Sequence, residues 1–337
     1  MPALPFARLT RRGRIRRLGA IARRALEERG LERASLRFLA DDTNILFRAW
    51  AGDGAFVVRI GVYGPIAHSL PEAQGETAWL TALRASGLTV PDPVPDLTGR
   101  LVTPIALPGV DGERLVVVFR WIPGSLLDER LAPGTLRAYG ALAARLHRHA
   151  AAFRPPGDPP LPRYDRLFPF DQPEVLFTAG DTPLLPSERR AVFAEAAGRV
   201  EEAVGRLRSG EPMRLLHGDL HVWNVLVHRG RLAPIDFEDL MWGWPIQDIG
   251  TALYYLHHRP DFPAILEGFR RGYEEVAPWP EAEPGDLDTF IAGRALVLAN
   301  DVLQMPPADL GDLDVPEFFA RAERRLRATL EGGRFQG

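Results

Sequence analysis

The stretch Leu215–Leu226, LLHGDLHVWNVL, sets two histidines, an aspartate and an asparagine among apolar residues. Seven of its twelve residues are Leu, Val or Trp, the texture of a segment tucked into a core, where polar groups need partners. His217 and His221 are four apart, the spacing of two zinc ligands on a helix. Gly218 lies between them, however, and no Glu stands where an H-E-x-x-H motif carries its base.

Taken through Asp219 and Asn224, the stretch is H-G-D-L-x-x-x-N, and APIDFEDL with Asp236 follows it. Two apolar runs, VLV and LAPI, are joined by His228-Arg229-Gly230-Arg231, and the midpoint between Asn224 and Asp236 falls on Gly230. A hairpin centred there predicts Asn224 and Asp236 opposite one another, about 5 Å apart at Cβ. An amide oxygen and a carboxylate so placed, with Asp219 five residues before the Asn, make a hard-oxygen site suited to Mg²⁺ and phosphate oxygens. In the phosphoryl-transfer pattern of this kind, the loop Asp takes the acceptor's proton while Asn and Asp hold metal. The stretch therefore reads as a catalytic loop.

The rest of the composition narrows the field. A chain of 337 residues with 46% hydrophobic content has enough core for two lobes. A net charge of -3 implies no general affinity for nucleic acid. Cys is absent, which excludes disulfides, thiolate metal sites and Cys nucleophiles. Every basic residue is Arg, so a P-loop lysine, a Schiff base and a lysine general base are excluded too. No apolar run reaches the length of a membrane span and no signal-peptide h-region is present; the expectation is a cytoplasmic protein without a membrane partner. The basic N-terminal stretch RLTRRGRIRRLGAIARRALEERG carries Ile15, Leu18, Ile21, Ala25 and Leu26 at helical spacing, which predicts an amphipathic helix docked on the body.

From Leu36 to Ile60 the chain reads as strands, LRFL, NILFRAW and AFVVRI, with a hairpin turn at Gly52-Asp53-Gly54. A helix follows, with Ser69 and Glu72 at capping-box spacing, Pro71 early and Gly87 at its stop. A second apolar hairpin runs from LVTPIAL to RLVVVFRW through Asp111-Gly112. After WIPG (Trp121 to Gly124) long Ala/Leu/Arg helices take over, interrupted by the Pro-rich RPPGDPPLPRYDRLFPF. The fold class is α+β: residues 1–120 form a small antiparallel β-rich lobe with one inserted helix, and 121–337 a larger helical lobe. A nucleotide between two such lobes is one common use of that shape.

HGDLHVWN, followed by IDFED and then PIQD (Pro245 to Asp248), resembles the aminoglycoside phosphotransferase and choline kinase-like superfamily, relatives of the protein kinases. The VVRI strand and WIPG connection fit as well, over about residues 30 to 305. The resemblance implies ATP and Mg²⁺, with Asp219 as catalytic base and Asn224 and Asp236 as metal ligands. It implies that His217 braces the loop, that Asp248 holds the loop backbone from the start of the next helix, and that the backbone of Phe119, Arg120, Trp121 and Ile122 meets adenine. It also assigns the phosphate side to the turn between the first two strands, where Thr43 and Asn44 stand in place of a G-x-G-x-x-G loop, and to Arg59, where protein kinases carry Lys.

The helix Pro71 to Ser86 supports this independently. Ala73, Glu76, Leu80 and Leu83 share one face, so Glu76 points with the apolar stripe and needs a cation; Arg59 is the best candidate. For the acceptor, Glu238, Asp239, Trp242 and Trp244 follow the metal Asp and are the candidate pocket residues, a set suited to an amine-bearing or hydroxylated small molecule. No Ser, Thr or Tyr lies between Asp236 and Thr251 and no A-P-E motif is present, which disfavours a kinase switched by activation-loop phosphorylation. The expectation is an ATP- and Mg²⁺-dependent phosphotransferase acting on a hydroxyl of a small-molecule acceptor. Two alternatives stand beside it, a protein Ser/Thr kinase of the same fold and a catalytically silent nucleotide-binding regulator.

Overall fold

The structure is a computed structural model that describes all residues except 1–4, 42, 53, 65–66, 171, 179, 181, 308–309 and 333–337. The expected turn residue Asp53 therefore lies outside the described residues. Two compact units emerge, Met1–Gly124 with Arg154–Pro160 and Ala233–Glu238, and Ser125–Phe153 with Leu161–Leu232 and Asp239–Gly337.

In the first unit, helix α1 (Arg11–Glu27) is capped by the Thr10 side chain and buries Leu18, Ile21, Ala22, Ala25 and Leu26. These meet one face of an antiparallel sheet formed by β1 (Ser35–Asp41), β2 (Ile45–Ala51), β3 (Gly54–Ile60), β4 (Asp92–Pro93), β5 (Val102–Ile105) and β6 (Arg114–Arg120), in the order β1-β2-β3-β6-β4 with β5 also paired to β6. The two-residue strand period sends Phe56, Val58 and Ile60 toward that core, and with them Val116 and Val118 of β6. The same period puts Arg59, paired in register with Val117, on the opposite face. Helix α2 (Leu70–Ala85) interrupts the sheet. Its capping box between Ser69 and Glu72 is complete in both directions, Pro71 stands in its first turn, and Gly87 follows its end at φ 89°. Trp79, Leu80 and Leu83 of α2 are fully buried, and Glu76 is buried with them.

The second unit begins with β7 (Ser125–Leu126) and α3 (Pro133–Ala152), followed by the short α4 (Val175–Thr178) and α5 (Ser187–Gly210). Next come β8 (Arg214–Leu216), β9 (Val225–His228), β10 (Arg231–Pro234), whose last two residues belong to the first unit, and β11 (Met241–Gly243), and the last helices are α6 (Pro245–Tyr254), α7 (Phe262–Glu274), α8 (Asp286–Gln304) and α9 (Val315–Leu330). β9 pairs antiparallel with β7, and β11 with β8. The β9–β10 turn is made by Arg229 and Gly230, both at positive φ, so the hairpin's centre lies between these two residues rather than on Gly230. α3 and α7 approach so closely that a Cβ at Gly140 would stand 1.8 Å from the Phe269 carbonyl oxygen, an approach that glycine permits.

No helix among the described residues is long and apolar enough to cross a membrane.

Candidate active site

β8 delivers Leu215 and Leu216 into the core and ends where the polar stretch begins. Asp248, in the first turn of α6, then takes hold of the loop. Its two carboxylate oxygens accept from the backbone N–H groups of His217 and Gly218, each at 2.9 Å. His147 of α3 reaches the same carboxylate through Nε2 at 3.2 Å, and its Nδ1 lies 3.0 Å from the Tyr273 hydroxyl. Burial works to raise the Asp248 carboxyl, yet the His147 hydrogen bond and the charges of His147 and His217 hold it below the usual carboxylate range. The buried hydroxyl of Tyr139 fixes the far side by donating to the Leu220 carbonyl at 2.6 Å. Gly218 is required on two counts. It sits at φ 84°, and a Cβ there would stand 2.1 Å from the Asp239 carbonyl oxygen.

On this anchored loop Asp219 is held by three side chains. Asn224 Nδ2 donates to Oδ2 at 3.0 Å, His221 Nε2 lies 3.1 Å from the same oxygen, and Arg294 Nη2 donates to Oδ1 at 2.7 Å. Burial favours the protonated acid, but the His221 hydrogen bond and the charges of Arg294, His221 and His217 lower the pKa and keep Asp219 ionised. His217 is fully buried and takes the Asp219 backbone N–H on Nδ1 at 3.4 Å, the loop-bracing position. With its amino group turned to Asp219, Asn224 presents its amide oxygen, the end a hard cation takes, on the other side. An aromatic group borders the loop: the rings of His221, Trp223 and Tyr255 stand edge-to-face at 4.9 to 5.3 Å from one another. Trp223 is 42% exposed, and its indole N–H donates to Asp128 at 3.2 Å.

In the first unit, Arg59 and Glu76 form a two-pronged ion pair. Nη1 donates to Oε1 at 2.8 Å and Nη2 to Oε2. Burial alone would lower the guanidinium's pKa, but the charge and hydrogen bonds of Glu76, with Glu238 and Asp236 adding theirs, raise it, so this cation is permanent. A pocket brings together Thr43, Asn44, Arg59, Glu76 and Glu238, and Asn44 donates to the Glu238 carboxylate. Glu238 thus lies with the residues read as phosphate contacts. Asp236 adopts φ 65°, a left-handed conformation that Asp tolerates better than most residues, and the next residue, Phe237, packs edge-on against Trp79 at 5.6 Å. Phe119 and Arg120 sit inside the sheet, paired with β3 on one side and β4 on the other, and Trp121 donates to the Ala55 carbonyl. Of the expected adenine contacts, Ile122 is the first residue beyond these pairings.

Trp244 is not an acceptor wall. It is buried, with its indole N–H on the Glu211 carbonyl at 2.9 Å, and this core position leaves no ring face for a ligand. Trp242 is half-buried in β11, its backbone paired across to Pro162 and Tyr164. Asp239 contributes its carbonyl beside Gly218. Sequence reasoning missed Arg294, Tyr255 and His147 altogether. The one available signal was a lone Arg in the apolar helix FIAGRALVLAN.

A sheet-based unit with a buried arginine–glutamate pair and a helical unit with an H-G-D-L-x-x-x-N loop anchored in this way are features of the protein kinase-like class of phosphotransferases. The profile of the phosphotransferase enzyme family (APH) matches residues 35–284, and the chain belongs to that family. It is similar to the amicoumacin kinase of Bacillus subtilis (strain 168), 26% identical over 257 residues that make up 73% of each chain. Among solved structures it resembles a microcompartment-associated aminopropanol kinase, with a TM-score of 0.77 and 25% identity over 93% of this chain and 98% of that one. The fold is shared as well with the amicoumacin kinase hAmiN in complex with AMP-PNP, Ca²⁺ and Ami, with a TM-score of 0.74 and 19% identity over 94% of each chain.

Proposed function

We propose that the protein transfers the γ-phosphoryl group of ATP, with Mg²⁺, to a hydroxyl of a small-molecule acceptor. The observation that carries this reading is Asp219, ionised and held by three donors on a loop whose backbone is itself fixed by Asp248. The acceptor's O–H gives its proton to the Asp219 carboxylate as its oxygen bonds to the γ-phosphorus. The bond from that phosphorus to the bridging oxygen breaks, and ADP leaves with the electron pair. Asn224 and Asp236 are the oxygen ligands we assign to Mg²⁺, which when bound neutralises charge on the phosphate oxygens. The orientation of the Asn224 amide fits that role. Arg59 offers a permanent cation to the phosphates from the pocket it shares with Thr43 and Asn44. The base is assigned to the end of this segment at Ile122, the first residue past the paired sheet, because Phe119 and Arg120 are paired on both sides.

Relatives are named an amicoumacin kinase and an aminopropanol kinase, and Trp223, 42% exposed and packed against the His221 ring that meets Asp219, suits a cation or a hydroxylated ring. A phosphate-transfer screen tests the function. Pooled amino alcohols (including aminopropanol), sugars, nucleosides, aminoglycosides, amicoumacin and a generic protein are offered with labelled ATP. Transfer to a small molecule supports the reading. Transfer to protein alone replaces it with a protein kinase, and ATP binding without turnover toward any acceptor or water makes the chain a silent regulator.

A further inference from the structure

The Asp219 carboxylate has about four in-plane lone-pair sites, two on each oxygen. Oδ2 spends both of its sites inside the loop, on Asn224 Nδ2 at 3.0 Å and on His221 Nε2 at 3.1 Å, taking the tautomer with hydrogen on Nε2. Oδ1 spends one site, on Arg294 Nη2 at 2.7 Å. The remaining site is therefore on Oδ1, the oxygen that Arg294 holds. We infer that Arg294 is a positioning residue for phosphoryl transfer: its guanidinium fixes the Asp219 carboxylate so that Oδ1 receives the acceptor's hydroxyl proton. This rests on Asp219 being the base.

The geometry around Arg294 is that of a built support. The side chain comes from the middle of α8 and is only 15% exposed. Its Nη2 has a second partner, the Tyr255 hydroxyl at 3.0 Å, so the guanidinium is tied at once to the reacting group and to the residue just after α6. Tyr255 in turn is wedged edge-on against His221 at 4.9 Å, the other side chain that holds Asp219. Arg294, Tyr255 and His221 thus close a ring around the carboxylate through contacts that leave one lone pair open. Without Arg294 only Oδ2 is tethered, and rotation of the carboxylate about its Cβ–Cγ bond swings Oδ1 away from its place. A misplacement of about 1 Å at a reacting group costs about 100-fold in rate. An ammonium at this position restores the charge but not the rigid planar group that holds the shared nitrogen, Nη2, between Asp219 and Tyr255.

The test is a double-mutant cycle on kcat using Asp219→Asn, Arg294→Met and the double variant. It is read in acceptor-free Mg·ATP hydrolysis, with water as the acceptor, and with the best acceptor from the screen. Arg294→Met is expected to lower kcat by about 10- to 100-fold in the parent protein and by less than about threefold in the Asp219→Asn background. ATP affinity by calorimetry should stay within about twofold, and Arg294→Lys should recover part of kcat. Tyr255→Phe, which removes one anchor and no charge, should give a smaller fall in kcat with unchanged ATP affinity, and it carries the test if Arg294→Met does not fold. Equal losses in both backgrounds would overturn the inference, as would a loss that appears only in ATP affinity, or Arg294→Met and Tyr255→Phe variants that turn over like the parent. Failure of the underlying reading looks different: Asp219→Asn alone would then keep its turnover.

Discussion

Two buried arginine–carboxylate pairs organise this protein, and they are finished differently. In the sheet-based unit, Arg59 and Glu76 are 11% and 4% exposed, and the guanidinium meets both carboxylate oxygens side by side. In the helical unit, Arg294 and Asp219 are 15% and 19% exposed, and a single nitrogen meets a single oxygen. Glu76 spends both oxygens on one cation. It is a counter-charge that lets a permanent positive group stay in a buried pocket. Asp219 is met by three separate side chains, Asn224 and His221 from its own loop and Arg294 from α8. Glu76 thus answers one cation from one side, whereas Asp219 is held from several.

The comparison breaks most simply at Asp219. Asp219→Asn keeps the shape but cannot accept a proton. Its amide also cannot satisfy both sides of the site, since an NH₂ turned toward Oδ2's place meets two donors, Asn224 Nδ2 and His221 Nε2. Positioned general bases contribute about 10² to 10⁴-fold, so kcat is expected to fall within that range while ATP binding persists, as measured by steady-state turnover beside nucleotide titration. Wild-type turnover would place Asp219 with Glu76, as a support. The metal side is tested with Asp236→Asn, which keeps the left-handed backbone tolerable while removing the charge. The Mg²⁺ concentration needed for nucleotide binding should rise by about tenfold or more, and an unchanged requirement would remove Asp236 from the ligand set.

Arg59 gives the next largest effect, and in stability rather than rate. Arg59→Ala strands Glu76 among Leu80 and Leu83, and losing one partner of a buried pair costs about 3–5 kcal/mol. Denaturant unfolding should show this loss together with weaker ATP binding. Adding Glu76→Gln should return part of the stability, because the uncompensated charge has gone. Arg59→Lys should recover stability more fully than kcat/KM, since the fork is missing. Zero coupling in this cycle would mean that the pair contributes nothing to the buried pocket, and the contrast with Asp219 would lose one of its sides.

The two pairs also differ in how far the sequence reveals them. Arg59 and Glu76 are 17 residues apart, on a strand and a helix whose periods are plain, and a carboxylate on an apolar stripe calls for a cation nearby. The capping box at Ser69 and the loop around Asp219 were legible for the same reason, since each is a local pattern with a local physical cause. Arg294 is 75 residues from Asp219, and His147 is 101 from Asp248. A lone arginine in FIAGRALVLAN announces that it needs a carboxylate, but helical periodicity carries no information about which one another helix will bring. Trp244 shows the converse error. An aromatic next to acidic residues reads as a binding wall until packing shows its indole N–H spent on the Glu211 carbonyl. Composition near a site suggests what a residue offers, while only tertiary packing decides whether the offer is already taken.

The smallest effect expected is on acid stability, and it separates the carboxylates from a buried histidine near the end of the helix that carries Asp248. His257 is 3% exposed; burial pushes its pKa down from 6.5 to about 3, with Arg325 and His258 adding to the effect against the Tyr254 carbonyl, which favours the charged form. The folded protein therefore keeps this imidazole neutral, whereas the unfolded chain protonates it below pH 6.5. The contribution is fully present above that pH and is lost as pH falls toward 3, about 2 kcal/mol by pH 5. Asp219 and Asp248, whose pKa values are lowered, act in a different window, because their stabilisation fades only below the ordinary carboxylate range near pH 4. Urea unfolding from pH 7 to pH 4.5 should accordingly lose stability in the parent and flatten in His257→Gln. An unflattened slope in that variant would show that the acid sensitivity belongs to other groups, with His258, whose pKa is also lowered, the first to examine. A slope that appears only below pH 4 would instead assign it to the loop carboxylates, and with them to the Asp219 side of the comparison.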